Sequence, residues 1–225
     1  MKDRFEVIYK EIHSAGLEKS KAKIFGSVVL ILFLSGLFRF AIKQAVFLFV
    51  RQTNFTDRMA SMAAMLILAG ILLGLSKQAK TKLSVFPERF TWPYIGATVL
   101  FIELLIASPS NYRGGMESVF LLAYSCIVMP VFEELLFRGY IWNRLSGIWR
   151  NKWPTYLTTS ILFGLWHLAY IDSIAFRVED GLLSVMVWKV VTGLCFGIVL
   201  GAVRMKTKNC YAAMLMHGVM NLFGR

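Results

Sequence analysis

The sequence predicts an all-α, polytopic membrane bundle: about seven transmembrane helices preceded by an N-terminal amphipathic helix on the membrane surface. Three observations carry this. Of 225 residues, 57% are hydrophobic and 17% charged, with mean hydropathy +0.60; a soluble domain of this length does not need so much apolar surface. The apolar residues are gathered into runs approaching the ~20 residues that a helix needs to cross the hydrocarbon layer. Helix is the natural state for such runs, because each backbone polar group must be satisfied without water. The basic residues fall between the runs, where loops meet anionic headgroups. The net charge of +12 therefore points to membrane lipid as a partner. No basic patch interleaves with aromatic residues, and no nucleic acid is expected.

Residues 1–23 carry Phe5, Ile8, Tyr9 and Ile12 at helical spacing among Lys, Arg and Glu, the pattern of an interfacial helix. This stretch has neither the apolar core nor the cleavage site of a signal peptide. Residues 24–225 read as one transmembrane domain. Seven apolar runs lie near Ile24–Phe40, Met59–Leu75, Trp92–Ala107, Ser118–Phe137, Thr155–Ile171, Ser184–Val203 and Cys210–Phe223. Residues 41–50 either extend the first helix or lie in the interface. Trp92, Trp142, Trp149 and Trp153 sit near run ends, where aromatic belts form. Gly193, Gly197 and Gly201, four apart, and Gly70 with Gly74 invite close helix packing. Cys126, Cys195 and Cys210 have neither disulfide nor zinc-ribbon spacing and read as small core residues.

Loop charge sets the orientation. With the N-terminus inside, the inner segments hold seventeen basic residues and the outer ones seven, four of these in residues 39–58. The excess places the N-terminus in the cytoplasm and the C-terminus outside.

Ionisable residues within the runs each need a reason, since insertion costs at least ~2.5 kcal/mol. They are Glu103, Glu133, Glu134, His167, Lys189 and His217. Lys189 lies near a helix end and can extend to the interface. Glu134 and Arg138 are four apart, on one face and in the favourable acid-before-base order. Glu133 points about 100° away, free of that cation and able to hold water or a metal. A plain alternative is that both carboxylates mark a helix end in cytoplasmic water. His217 and Asn221, also four apart, present imidazole and carboxamide together. Depths along the runs let Glu133, His167 and His217 share the cytoplasmic half, so that substrate is met within the membrane or at its inner surface.

Three stretches together resemble the CPBP (CAAX protease and bacteriocin-processing, Abi) family of intramembrane proteases, relatives of the type II CAAX prenyl endopeptidases. They are Glu133-Glu134-Leu135-Leu136-Phe137-Arg138, Phe163-Gly164-Leu165-Trp166-His167, and His217-Gly218-Val219-Met220-Asn221. The resemblance covers about residues 118–223. It implies an endopeptidase of membrane-associated peptides or proteins, in a bacterial plasma membrane. Glu133 and His167 would activate water, and His217 with Asn221 would stabilise the oxyanion. Glu134 and Arg138 would support the site, and Phe163 would pack its wall. No cofactor is favoured. Zinc on Glu133, His167 and His217 is the alternative. No Asp lies in a run and no Gly-x-Ser-Gly is present, so the aspartyl and rhomboid types fit worse.

Two other classes stand beside this one. The first is a catalytically inactive scaffold or bacteriocin-immunity protein, against which every filled motif position counts. The second is a proton-coupled transporter relaying through Glu103, Glu133 and the histidines, which should show inverted repeats; none is visible.

Overall fold

The computed structural model describes residues 2–78, 83–107, 111–149 and 151–224, with side chains from residue 18 onward. These residues form seven main helices and no strand. They are α1 (Lys2–Phe47), α2 (Asn54–Gln78), α3 (Trp92–Ala107), α4 (Met116–Ser146), α5 (Lys152–Trp166), α7 (Leu182–Thr207) and α8 (Tyr211–Phe223), with a short α6 (Ile171–Ala175) capping α5. The chain is thus an all-α membrane bundle. Four segments, Glu18–Phe47 of α1 and all of α2, α4 and α7, are long and apolar enough to cross a bilayer. Helices α3, α5 and α8 are shorter. Phe25, Phe33, Leu37, Leu183, Val187 and Trp188 stand exposed on α1 and α7, apolar surface of the kind lipid covers.

α1 runs through residue 23 without interruption, and its side chains up to residue 17, including those of the amphipathic face, lie outside the described residues. It also absorbs residues 41–47. Arg39 and Lys43, read from the sequence as loop charges, are therefore helical, and both are completely buried. Their compensation comes from far along the chain. Arg39 pairs with Asp172 and donates to the Ala169 carbonyl. Lys43 bridges Asp172 (2.5 Å) and Asp57 (2.7 Å), and Arg177 closes on Asp57 at 2.5 Å. This cluster ties the ends of α1, α2 and α6 together. Breaking a buried pair from one side costs about 3–5 kcal/mol, because the remaining charge is left in a poor solvent. Asp172→Ala is accordingly expected to lower the thermal midpoint in detergent by several degrees. Asp172→Asn should lose less, and differential scanning fluorimetry distinguishes them.

The core lies where α4 passes between α2, α5 and α8. Phe132, Leu135, Leu136, Phe137, Ile141, Phe163 and Leu200 are almost fully buried there. α4 is not a regular α-helix. Two π-helical stretches, Tyr124–Val128 and Leu135–Ile141, flank an α-helical piece, Met129–Glu134. Pro130 offers no N–H to the carbonyl one turn earlier, and a local change of helical period is a usual accommodation. The period changes on both sides of the glutamate pair.

Helix α7 packs along α5 at its glycines. A Cβ at Gly197 would come 2.7 Å from the Ser160 carbonyl oxygen, and one at Gly201 2.8 Å from the Tyr156 ring. Packing thus explains these two. Gly70 and Gly74 correct the expectation, since a Cβ on either meets nothing within 4 Å. So does Cys195, which is exposed while Cys126 and Cys210 are buried. Trp142 is buried under the Arg204 guanidinium rather than belted at the surface, whereas Trp92 and Trp153 are exposed.

Candidate active site

A cavity of about 500 Å³ opens into the bundle between α4, α6, α7 and α8, a size typical of small-molecule and peptide sites. Glu133, His167, His217 and Asn221 all line it. Three separate stretches of sequence therefore meet in one place.

The two glutamates have different surroundings. Glu134 is fully buried below the cavity and accepts from Arg138 Nη1 (3.1 Å) and His217 Nδ1 (3.0 Å). Arg138, equally buried, also donates to the Gly197 carbonyl (3.1 Å), and its guanidinium lies 4.4 Å from the centre of the Phe163 ring. The sequence pairing of Glu134 with Arg138 holds, although the arginine sits on π-helical backbone.

Glu133 turns the other way, with no arginine or lysine. Its Oε1 accepts from Tyr170 Oη (2.5 Å) and Trp166 Nε1 (3.1 Å). Its Oε2 is 3.8 Å from His217 Nε2. That is too long for a direct hydrogen bond, yet one water can touch both atoms. Glu133 is free of the Arg138 cation but has neutral donors of its own. Two neutral donors clamp one oxygen and leave the other toward the second imidazole. Trp166 and Tyr170 are the site residues that sequence reasoning missed. A signal existed: they are four apart, flanking His167, and both carry a polar handle that a buried position must satisfy.

The imidazoles are held by different acceptors. His167 Nδ1 is 3.0 Å from the Phe163 carbonyl. A carbonyl only accepts, so Nδ1 carries the proton and Nε2 of the neutral ring is left as an acceptor. His217 Nδ1 faces the Glu134 carboxylate, and the ring packs edge-on against Phe163 and Phe196, with centroids at 5.8 and 5.9 Å. Asn221 donates one N–H to the Ser125 carbonyl (2.8 Å); an amide has a second. Phe163 is fully buried in contact distance of both imidazoles and Arg138. It packs behind the two rings and is not one of the residues that line the cavity.

Among the described residues, no three His, Cys, Asp or Glu side chains are spaced to hold a metal. In the set Glu133, His167 and His217, Glu133 Oε1 already accepts two hydrogen bonds, and Glu133 Oε2 stands 3.8 Å from His217 Nε2.

Comparison with known proteins bears on this half of the chain. The family model "Type II CAAX prenyl endopeptidase Rce1-like" matches residues 115–223. Those residues include α4, α5, α7 and α8 and all three motifs. This part of the chain is similar to that family. A curated relative, the UPF0177 protein YxdF of Lactococcus lactis, is 28% identical over 134 residues. The match covers 56% of this chain and 64% of that protein's length. No solved structure matches significantly.

Within this part of the chain, Gly193 does more than let helices approach. A Cβ there would fall 2.4 Å from His167 Nδ1, closer than real atoms come, so the ring would have to move. Gly193→Ala is expected to reduce any His167-dependent activity at least tenfold with little loss of thermal stability. Gly70→Ala, in open space, should change neither. Glu103, by contrast, is exposed on α3 and does not line the cavity, and no ion pair with Lys189 occurs among the described residues.

The mouth of the cavity lies at one end of the bundle. Arg58, Arg177, Lys189 and Gly224 line it. Arg58 lies in the first turns of α2, Arg177 just after α6, Lys189 in the second turn of α7 and Gly224 after α8. All belong to the end of the bundle opposite the N-terminal half of α1. The opposite side is closed. Ser84 and Val85 carbonyls accept from Cys210 N and Tyr211 N (both 2.9 Å), and Leu83 packs over Gly139. None of these closing residues lines the cavity.

Proposed function

We propose that this protein is an intramembrane endopeptidase that hydrolyses peptide bonds of membrane-associated peptides or proteins without a metal. The observation that carries the reading is the gap between Glu133 Oε2 and His217 Nε2, 3.8 Å wide, inside a cavity that His167 and Asn221 also line.

Water in that gap has an acceptor in Glu133 Oε2. Tyr170 and Trp166 fix the carboxylate so that this oxygen faces the reacting position. Glu133 takes a proton as the water attacks the scissile carbonyl and returns it to the leaving amine, the double role of a general acid–base. His167, with Nε2 as acceptor, shares the first step. The oxyanion needs donors. Asn221 has an N–H beyond the one used on Ser125. His217, its Nδ1 directed at Glu134, donates to the oxyanion when Nε2 carries a proton. Each such donor lowers the barrier by roughly 3 kcal/mol in a water-poor site. Glu134 and Arg138 act through His217 and the shape of α4.

The loop-charge asymmetry supports a multi-pass protein whose N-terminus is cytoplasmic. Cleavage of a quenched fluorescent peptide by purified protein in detergent tests the chemistry. Turnover should persist through prolonged treatment with EDTA and 1,10-phenanthroline. Loss of turnover that zinc restores would overturn the metal-free mechanism, and no cleavage of any peptide in a diverse library would overturn the peptidase reading.

A further inference from the structure

We propose, building on the peptidase reading, that the cavity is served from the extracytoplasmic face, so that the substrate is a polypeptide segment that has already crossed the membrane and sits at or within the outer leaflet. The inference joins two independent facts: where the mouth is and where the basic residues are.

The mouth lies at the end carrying residues 48–53, the α6–α7 turn and the end of α8. Arg58, Arg177 and Lys189 rim it. Deeper in, Glu133 and His217 are almost fully buried. Below them Glu134, Arg138, Leu83 and Cys210 are buried. Residues 83–91 seal that side. Phe86 and Phe90 pack on the Tyr211 ring (5.7 and 5.3 Å between centroids), and Tyr94 packs beside them. Arg204 Nε donates to the Arg138 carbonyl at 2.8 Å, closing the seam between α4 and α7.

The charge bias opposes this mouth. Orientation follows basic residues that meet headgroups, so buried ones do not count. Arg138 and Arg204 at the N-terminal end, and Arg39 and Lys43 at the other, are buried. Setting them aside leaves fifteen Lys and Arg at the N-terminal end and five at the mouth end, or six with Lys189. The structure sharpens the bias, because the basic segment at residues 39–58 that weakened it is half internal and neutralised by Asp57 and Asp172. The N-terminal end is then cytoplasmic and the mouth faces out. The mouth then serves Glu133 from that side.

Single cysteines read with a membrane-impermeant maleimide in intact cells test this, with the wild-type chain as the blank. Glu179→Cys and Asp180→Cys mark the exposed turn beside the mouth, Lys189→Cys the cavity wall, and Ser146→Cys the far end of α4. The expected result is labelling of the first three in intact cells and of Ser146→Cys only after permeabilisation. The reverse pattern overturns the inference. The labelling needs no activity, so it separates the two claims. An outward mouth without proteolysis defeats the enzyme, and an inward mouth with Glu133-dependent proteolysis defeats only the sidedness.

Discussion

Glu133→Gln is expected to lower peptide turnover by about 10³-fold or more while leaving the thermal midpoint within a degree or two of wild type. The two halves of this expectation have separate grounds. Glutamine keeps the Oε1 position, so Tyr170 and Trp166 still donate to it and the local packing of α4 is preserved. The second carboxylate oxygen becomes an amide nitrogen, which cannot take a proton from water, and general acid–base catalysis of ~10²–10⁴ is lost with it. His167→Ala should cost a comparable factor. Because both act on one water, the double variant should be little worse than either single one. Groups that work as a unit are strongly non-additive. Multiplying losses would mean that the two side chains act at different steps, and the water-activation account would fail.

The second large effect is on folding. Glu134→Ala removes the carboxylate from a fully buried guanidinium. Arg138 retains the Gly197 carbonyl and the face of Phe163, but no anion at contact distance, and a cost of about 3–5 kcal/mol is expected. His217 simultaneously loses the acceptor on its Nδ1. Glu134→Ala is therefore predicted to accumulate poorly and to unfold at least ten degrees below wild type. Glu134→Gln, which can still accept from both neighbours, should be folded and weakly active. Comparison of midpoints in detergent, with turnover measured on the folded fraction, checks this. Wild-type stability in Glu134→Ala would show that the Glu134–Arg138–His217 network does not hold α4 in place.

The fold class was legible because hydropathy is local. Each main helix overlaps an apolar run, and α3 coincides with one. The site was legible for a related reason. Glu134–Arg138 and His217–Asn221 are pairs within a helix turn, and an ionisable group in an apolar run is conspicuous. What was hidden depends on contacts distant in sequence or on backbone irregularity. Arg39 and Lys43 looked like loop charges because their counter-ions, Asp172 and Asp57, lie on other helices. The π-helical stretches around Pro130 leave no periodic trace. Trp166 and Tyr170 gave no sequence signal as a pair on Glu133, because that acid lies on another helix. The direction of the cavity follows from how residues 83–91 fold back on α8, which no hydropathy pattern encodes.

The central claim is that Glu133, at the floor of a cavity shared with His167, His217 and Asn221, makes this protein a peptidase. Its most direct test is quantitative peptide mass spectrometry of membranes and medium from cells producing wild-type protein or the Glu133→Gln form at equal levels. A defined set of cleaved termini should be present with wild type and absent with Glu133→Gln. Identical peptide profiles from the two would contradict the claim.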